Sequence, residues 1–270
     1  MKNNLFVILF LSSILFIGLS VKTDKKESKG ISFTVINVQG SILYLKTGNE
    51  MERGDTYVKG TNLSFQTKES RAAVANSEEG RLILTGNEKG KIRILPATNN
   101  MSSRSGALLN IIDLKNHFDG RYFIIEKHEI EIAANEFPMN DDNFFYLRFN
   151  YNNEDIAKRL AFDDNKLILD KSEIFKVDGN PIPVTETEMT LYYRKNGQGE
   201  KISKFTPIFP DTNTLKEEVS LMLEVFSFKD EAAKYNEIKA HVNEFYGKPN
   251  DKNLKTWLNQ EFKDQFNFEL

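Results

Sequence analysis

The sequence predicts a mainly β protein with an α-helical C-terminus: two small antiparallel β domains, sandwich- or barrel-like, followed by a helical hairpin subdomain. Three observations predict it. Short apolar runs bounded by glycine and Asx turns recur from Ile31 to Leu95 and again from Arg121 to Phe209, the pattern of strands joined by tight turns. Within them the side chains alternate, with Leu147, Phe149 and Tyr151 on one face and Arg148 and Asn150 on the other. Beyond Pro207 and Pro210 the apolar residues recur at helical spacing instead.

The first element, residues 1–20, reads as an export signal. Lys2 precedes an uncharged apolar run from Leu5 to Leu19, broken only by Ser12, Ser13 and Gly18. Gly18 and Ser20 suit cleavage after Ser20. The alternative is an uncleaved anchor, although the run falls short of the ~20 apolar residues of a bilayer span. Both readings place the remainder outside the cytoplasm: periplasmic or secreted if cut, held at the inner membrane if not. Residues 21–30 are a polar linker rich in lysine.

Residues 31–98 form the first predicted β domain, with strand-like runs such as SFTVINV, RAAVAN and RLILTG. Gly40, Gly48, Gly54, Gly60, Gly80, Gly86 and Gly90 punctuate them at turns. A polar linker at 99–112 separates it from the second β domain, 113–210. There Asn152–Asp155 separates two runs as a hairpin signature, Asp163-Asp164-Asn165 marks another turn, and Asn196-Gly197-Gln198-Gly199 is a strong hairpin signal. Residues 211–270 are helical. Thr214 and Glu217 form a capping box for a helix starting at Leu215 that buries Val219, Met222 and Phe226. A second helix from Asp230 to Tyr246 buries Tyr235, Ile238, Val242 and Phe245, and Gly247 and Pro249 stop it. A third begins at Asn250 or Asp251 and carries Leu254, Trp257, Leu258 and Phe262. These helices are expected to pack on the second β region.

Composition narrows the function. The net charge of −3 argues against a nucleic-acid partner, because phosphate neutralisation needs a basic surface. The chain has no Cys, which excludes disulfides, thiolate metal sites, a cysteine nucleophile and a lipoprotein cysteine. Twenty-one Phe residues supply bulky core material for thin β layers.

Four sequence pieces occur in order in the first domain: Gly40-Ser41-Ile42; Gly54-Asp55 after the apolar Met51; Gly60-Thr61-Asn62-Leu63 leading into Phe65-Gln66-Thr67; and Ser70-Arg71-Ala72-Ala73-Val74 followed by Glu79-Gly80-Arg81-Leu82-Ile83-Leu84. In this arrangement residues 38–85 resemble the FecR domain, the extracytoplasmic β module of bacterial sigma-factor regulators. The resemblance implies a ligand- or partner-binding β module. Only Met1 to Asn4 precede the apolar run, so the family's cytoplasmic signalling role is not expected to carry over.

Catalytic signatures are sparse. No H-E-x-x-H, G-x-S-x-G, P-loop or dinucleotide fingerprint occurs. Of the three His residues, His128 alternates with Ile130 and Ile132 as a packed structural residue, and His241 reads as a helix-surface residue. His117 precedes the turn Phe118-Asp119-Gly120 and is the least constrained. The acidic turns Asn140–Asn143 and Asp163–Asn165 lack the alternating oxygen ligands of a calcium loop. Phe144, Phe145, Tyr146, Phe149 and Tyr151 could form a stacking strip, but their period-two spacing fits core packing better. Tyr192 and Tyr193 must point to opposite faces of a strand, so one is exposed.

The expectation is therefore an exported cell-envelope binding or scaffold protein without catalysis, cofactor or metal. It would bind a protein partner through its β domains, and would touch membrane only through the N-terminal segment if that is uncut. The candidate surface comprises Tyr192, Tyr193, Asp55, Arg71 and His117, with strand addition at an edge of the first domain as one mode. The alternatives are a periplasmic carboxylate-dependent hydrolase assisted by His117 or His128, and a ligand sensor that signals to a membrane partner. A concave pocket with two titratable side chains in hydrogen-bonding reach would favour catalysis.

Overall fold

Turn residues with positive φ set many of the strand connections among the described residues. The computed structural model describes residues 30–86, 92–96 and 107–269, so the export segment, nearly all of linker 21–30, Gly90 and most of the polar linker lie outside the described residues. The first strands are β1 (Ser32–Gln39), β2 (Ile42–Tyr44), β3 (Thr56–Val58), β4 (Leu63–Phe65), β5 (Arg71–Asn76), β6 (Gly80–Gly86) and β7 (Ile92–Pro96). Five of them form an antiparallel sheet in the order β3-β1-β5-β6-β7, and β2 pairs with β4. Gly80 at φ 75° closes the tight β5–β6 connection.

This sheet is buried on both faces. Phe33, Val35, Ala72, Val74 and Leu84 pack with Ile42, Met51 and Leu63 in one core. A bulge between Val35 and Asn37 in β1 turns Ile36 to the other face, beside Ala73, Ala75 and Ile83. The small alanines let helices approach closely, which explains the RAAVAN composition.

The chain continues through α1 (Ile111–His117), β8 (Gly120–Phe123), β9 (Lys127–Glu131), β10 (Phe144–Tyr151), β11 (Glu154–Arg159), β12 (Ala161–Asp163) and β13 (Lys166–Asp170). Next come α2 (Lys171–Ile174), β14 (Lys176–Val177), β15 (Asn180–Pro181), β16 (Met189–Lys195) and β17 (Gln198–Ile208). The last elements are α3 (Thr212–Val225), α4 (Glu231–Phe245), β18 (Lys248–Pro249) and α5 (Asp251–Glu261). A six-stranded sheet runs β11-β10-β16-β17-β8-β18, and a three-stranded sheet β12-β13-β9 faces it across a shared core that includes Phe118, Tyr122, Phe145, Leu147, Leu191 and Phe205. The β17–β8 and β8–β18 pairings are parallel, so this sheet is mixed rather than purely antiparallel. Asn152 and Asn153, and Asn196 and Gly197, adopt consecutive positive φ, the geometry of two-residue hairpins.

Three expectations need correction. The C-terminal helices pack on the first sheet: Leu215, Val219, Met222, Ile238 and Val242 share a core with Ile36, Ala73, Ala75 and Ile83, and only Phe123 and Ile125 join it from the second region. Helix α3 begins at Thr212 with Asp211 as N-cap, so the Thr214 capping box does not form. Helix α1 was not anticipated, and it places His117 on a helix end rather than in a loose turn.

Candidate functional site

Alternation on β10 divides its aromatics between two environments. Phe145 and Phe149 point into the core, and Tyr151 packs against it. Phe144 and Tyr146 therefore lie on the opposite, solvent-facing side of the six-stranded sheet. Tyr192 of β16 stands directly across from Tyr146 in register, and the two rings stack with centroids 5.1 Å apart and planes at 14°. Phe144 lies 6.2 Å further along, giving a three-ring strip. Tyr146 reaches across β16 to β17, where a Cβ on Gly199 would meet its hydroxyl at 2.4 Å. A side chain at this position would push the Tyr146 ring aside.

Guanidinium groups frame the rings. Arg159 sits 4.4 Å above the Phe144 ring and Arg194 5.6 Å from it, while Arg148 approaches Tyr192 at 6.0 Å. Arg148 pairs with Asp155, and Arg159 pairs with Asp141 at 3.2 Å. Arg194 and Lys201 have no ion-pair partner among the described residues. Lys201 stands opposite Tyr192 on β17 and so shares its face.

The second concavity is a cleft of about 800 Å³ between α1, β9 and the start of α5. His117 and Tyr122 meet in its wall with Nε2 and the phenolic oxygen 2.7 Å apart. Burial, aided by the nearby His128 and Lys248 charges, pushes His117 down to about 3, so its imidazole is neutral at physiological pH. Burial also raises the Tyr122 phenol, despite a side-chain bond from Asn250. Lys248 donates to the Asn116 carbonyl at 2.9 Å, and its own pKa is lowered, chiefly by burial. Of the carboxylates in the cleft wall, Asp113, Glu129 and Asp251 are engaged, the last by Tyr235 and Lys239, whereas Glu131 has no side-chain partner among the described residues. Asp113 accepts from Leu109 N and Asn110 Nδ2, and Glu129 pairs with Lys127 and Lys166. No His-to-carboxylate hydrogen bond is present in the cleft among the described residues.

The remaining candidates are dispersed. Tyr193 is a correction: it is buried at 3% exposure, its ring packs on Phe137 and Phe145, and its hydroxyl donates to the Pro138 carbonyl at 2.8 Å, so it offers no surface contact. Asp55 accepts from Tyr44 Oη and Glu52 N at 3.0 Å each, which holds a turn together. Arg71 donates to Gln39, pairs with Glu244 of α4 at 3.4 Å and lies 4.8 Å over Phe245, so it clamps the first sheet to α4. Of the five candidates, Tyr192 alone belongs to the strip and His117 alone to the cleft.

Sequence reasoning missed one buried cluster. His241 is fully buried, not on a helix surface, and its Nε2 lies 2.8 Å from Glu218 Oε2, itself fully buried on α3. Asn37 Nδ2 at 2.5 Å and Tyr246 Oη at 2.8 Å donate to the other Glu218 oxygen. The position of His241 three residues after Ile238 and four before Phe245 was the available signal. His128 is buried as a packed residue, and its Nε2 has no partner among the described residues.

Among the described residues, no helix is long and apolar enough to cross a membrane. No protein-family model matches the chain, and no curated protein matches it.

Proposed function

We propose that the protein is an extracytoplasmic binding or scaffold protein of the cell envelope that engages a protein partner through its β domains and performs no catalysis. The observation that carries this reading is the Phe144–Tyr146–Tyr192 strip with its arginines on the solvent side of the second sheet. Tyr and Arg are the residue types enriched in the energetic centres of protein interfaces. The reading of residues 1–20 as an export signal supports an envelope location, and the FecR-like pattern at 38–85 supports a binding module in the first domain.

The His117–Tyr122 cleft favours a second reading, a hydrolase or ligand sensor. Against catalysis stand an imidazole whose low pKa leaves it a weak base at neutral pH and wall carboxylates, Asp113, Glu129 and Asp251, already held in turns and ion pairs.

A photo-cross-linking amino acid placed at Tyr192, with Lys263 as control position, tests the binding reading in the native envelope. The expected result is a discrete adduct from position 192 that Arg194→Ala abolishes. Equal, diffuse labelling from both positions would refute it. Turnover of an envelope substrate that His117→Ala removes and Tyr192→Ala spares would replace it with the hydrolase reading.

A further inference from the structure

We infer that the partner presents an acidic segment to the strip, with an apolar or aromatic side chain over Tyr192 and carboxylates on Arg194 and Lys201. This inference rests on the binding reading above and specifies the chemistry of the partner.

The argument is one of charge complementarity. The whole chain carries −3, yet this face gathers Arg148, Arg159, Arg194 and Lys201 around three rings. Two of these cations are accounted for internally. Asp155 holds Arg148, and Asp141 with the Asn140 carbonyl holds Arg159. These pairs fix the frame of the strip and leave little charge to offer.

Arg194 and Lys201 are different. Arg194 lies two residues from Tyr192 on β16, on the same face, and Lys201 is its cross-strand neighbour on β17. Both lie on the face that carries Tyr192, the Arg194 guanidinium 5.6 Å from the Phe144 ring, and no carboxylate of the described residues lies within ion-pair distance of either. The opposing strand position is Gly199, so no side chain there covers the Arg194 guanidinium. A carboxylate reaching Arg194 would form a charge-assisted, bidentate contact beside an apolar ring surface that excludes water. A neutral partner would instead bury this pair uncompensated, at a cost.

Binding of a fluorescent glutamate–tyrosine random copolymer to the full-length protein, followed by anisotropy, tests the inference. The copolymer should bind, and Arg194→Glu or Lys201→Glu should weaken it about tenfold or more, with a further loss as salt rises. Tyr192→Ala should also weaken it. All three positions lie on the sheet surface, so thermal melts of the two charge variants should match the parent, and Tyr192→Ala should shift its melt by no more than a few degrees. Copolymer binding that ignores both charge reversals overturns the inference. So does tighter binding of dextran sulfate that is indifferent to Tyr192→Ala, which would make the face a polyanion patch. If the copolymer fails to bind while the position-192 adduct still forms in the envelope, the acidic segment is wrong and the binding reading stands. If no adduct forms, both fall.

Discussion

Tyr192 and Tyr193 are neighbours on one strand and answer to different demands. Register places Tyr193 opposite Phe145 in the core and Tyr192 opposite Tyr146 outside. Tyr193→Ala should therefore cost about 3–5 kcal/mol through the cavity and the lost hydroxyl bond, whereas Tyr192→Ala should cost no more than about 1 kcal/mol, the worth of one cross-strand pair. Urea unfolding measures both, and equal losses would contradict the assignment of faces. That one tyrosine is exposed was legible from alternation; which one was not, because the phase depends on pairing with a strand some forty-five residues away. His128 carries a second residue-scale prediction. Burial lowers it to about 4 from an ordinary 6.5, so the folded state binds fewer protons than the unfolded chain. Its contribution is fully present above pH 6.5 and is lost as pH falls from there toward 4. Over that window the loss is on the order of 3 kcal/mol. His128→Leu removes the ionisable group and the unpartnered Nε2 together. It should make the acid limb of a stability–pH profile shallower, leaving the part contributed by His117, without reducing stability near pH 7.5. An unchanged acid limb in the variant would assign the loss to other groups.

Elements were legible where local chemistry is strong and illegible where tertiary packing decides. The Asn-Gly hairpin and the Asn250 N-cap of α5 need only local bonds; Asn250 Oδ1 accepts from Lys252 N at 2.9 Å and Asn253 N at 3.2 Å. The start of α3 was misplaced because Asp211 and Thr214 both cap well in isolation. Asp211 prevails by accepting from the Thr214 amide at 2.8 Å, which gains the helix a turn after Pro210. Helix α1 escaped notice because it buries only Leu114, and so has no amphipathic stripe to read. The α4–β18 junction was read correctly as a stop, but for less than its full reason. Gly247 has φ 118°, and a Cβ there would lie 2.5 Å from the Arg121 carbonyl oxygen and 2.7 Å from its carbon. Those atoms belong to β8, the strand on which β18 docks. Gly247→Ala should cost about 3 kcal/mol or more, combining a disfavoured φ with a backbone clash. A thermal melt within a degree of the parent would show that the junction relaxes freely.

At the scale of the whole molecule, the helices form a layer that unites two sheets rather than an appendix to one. This was hidden in the sequence because the helix-facing side of the first sheet reads as half polar: Ile36, Ala73, Ala75 and Ile83 share it with Asn37 and Arg81. The polar groups that face them come from residues far along the chain. Asn37 donates to Glu218 of α3, and Arg81 lies 3.7 Å from Glu237 of α4. Arg53 adds a 2.8 Å pair with Glu217. A seam built this way is strong while complete and fragile when one member is removed, because the donors left behind are buried. Glu218→Ala strands the Asn37 amide, the Tyr246 hydroxyl and the His241 imidazole at once. It should destabilise the protein by about 3–5 kcal/mol. The loss should also be local. In hydrogen exchange, amides of β1, β5, α3 and α4 should lose protection together, while β10 and β16, whose core contains none of these residues, keep theirs. Equal loss in β10 and β16 would mean that the chain beyond Ile31 unfolds as one cooperative unit. The aromatic strip could not then remain folded while the seam opened.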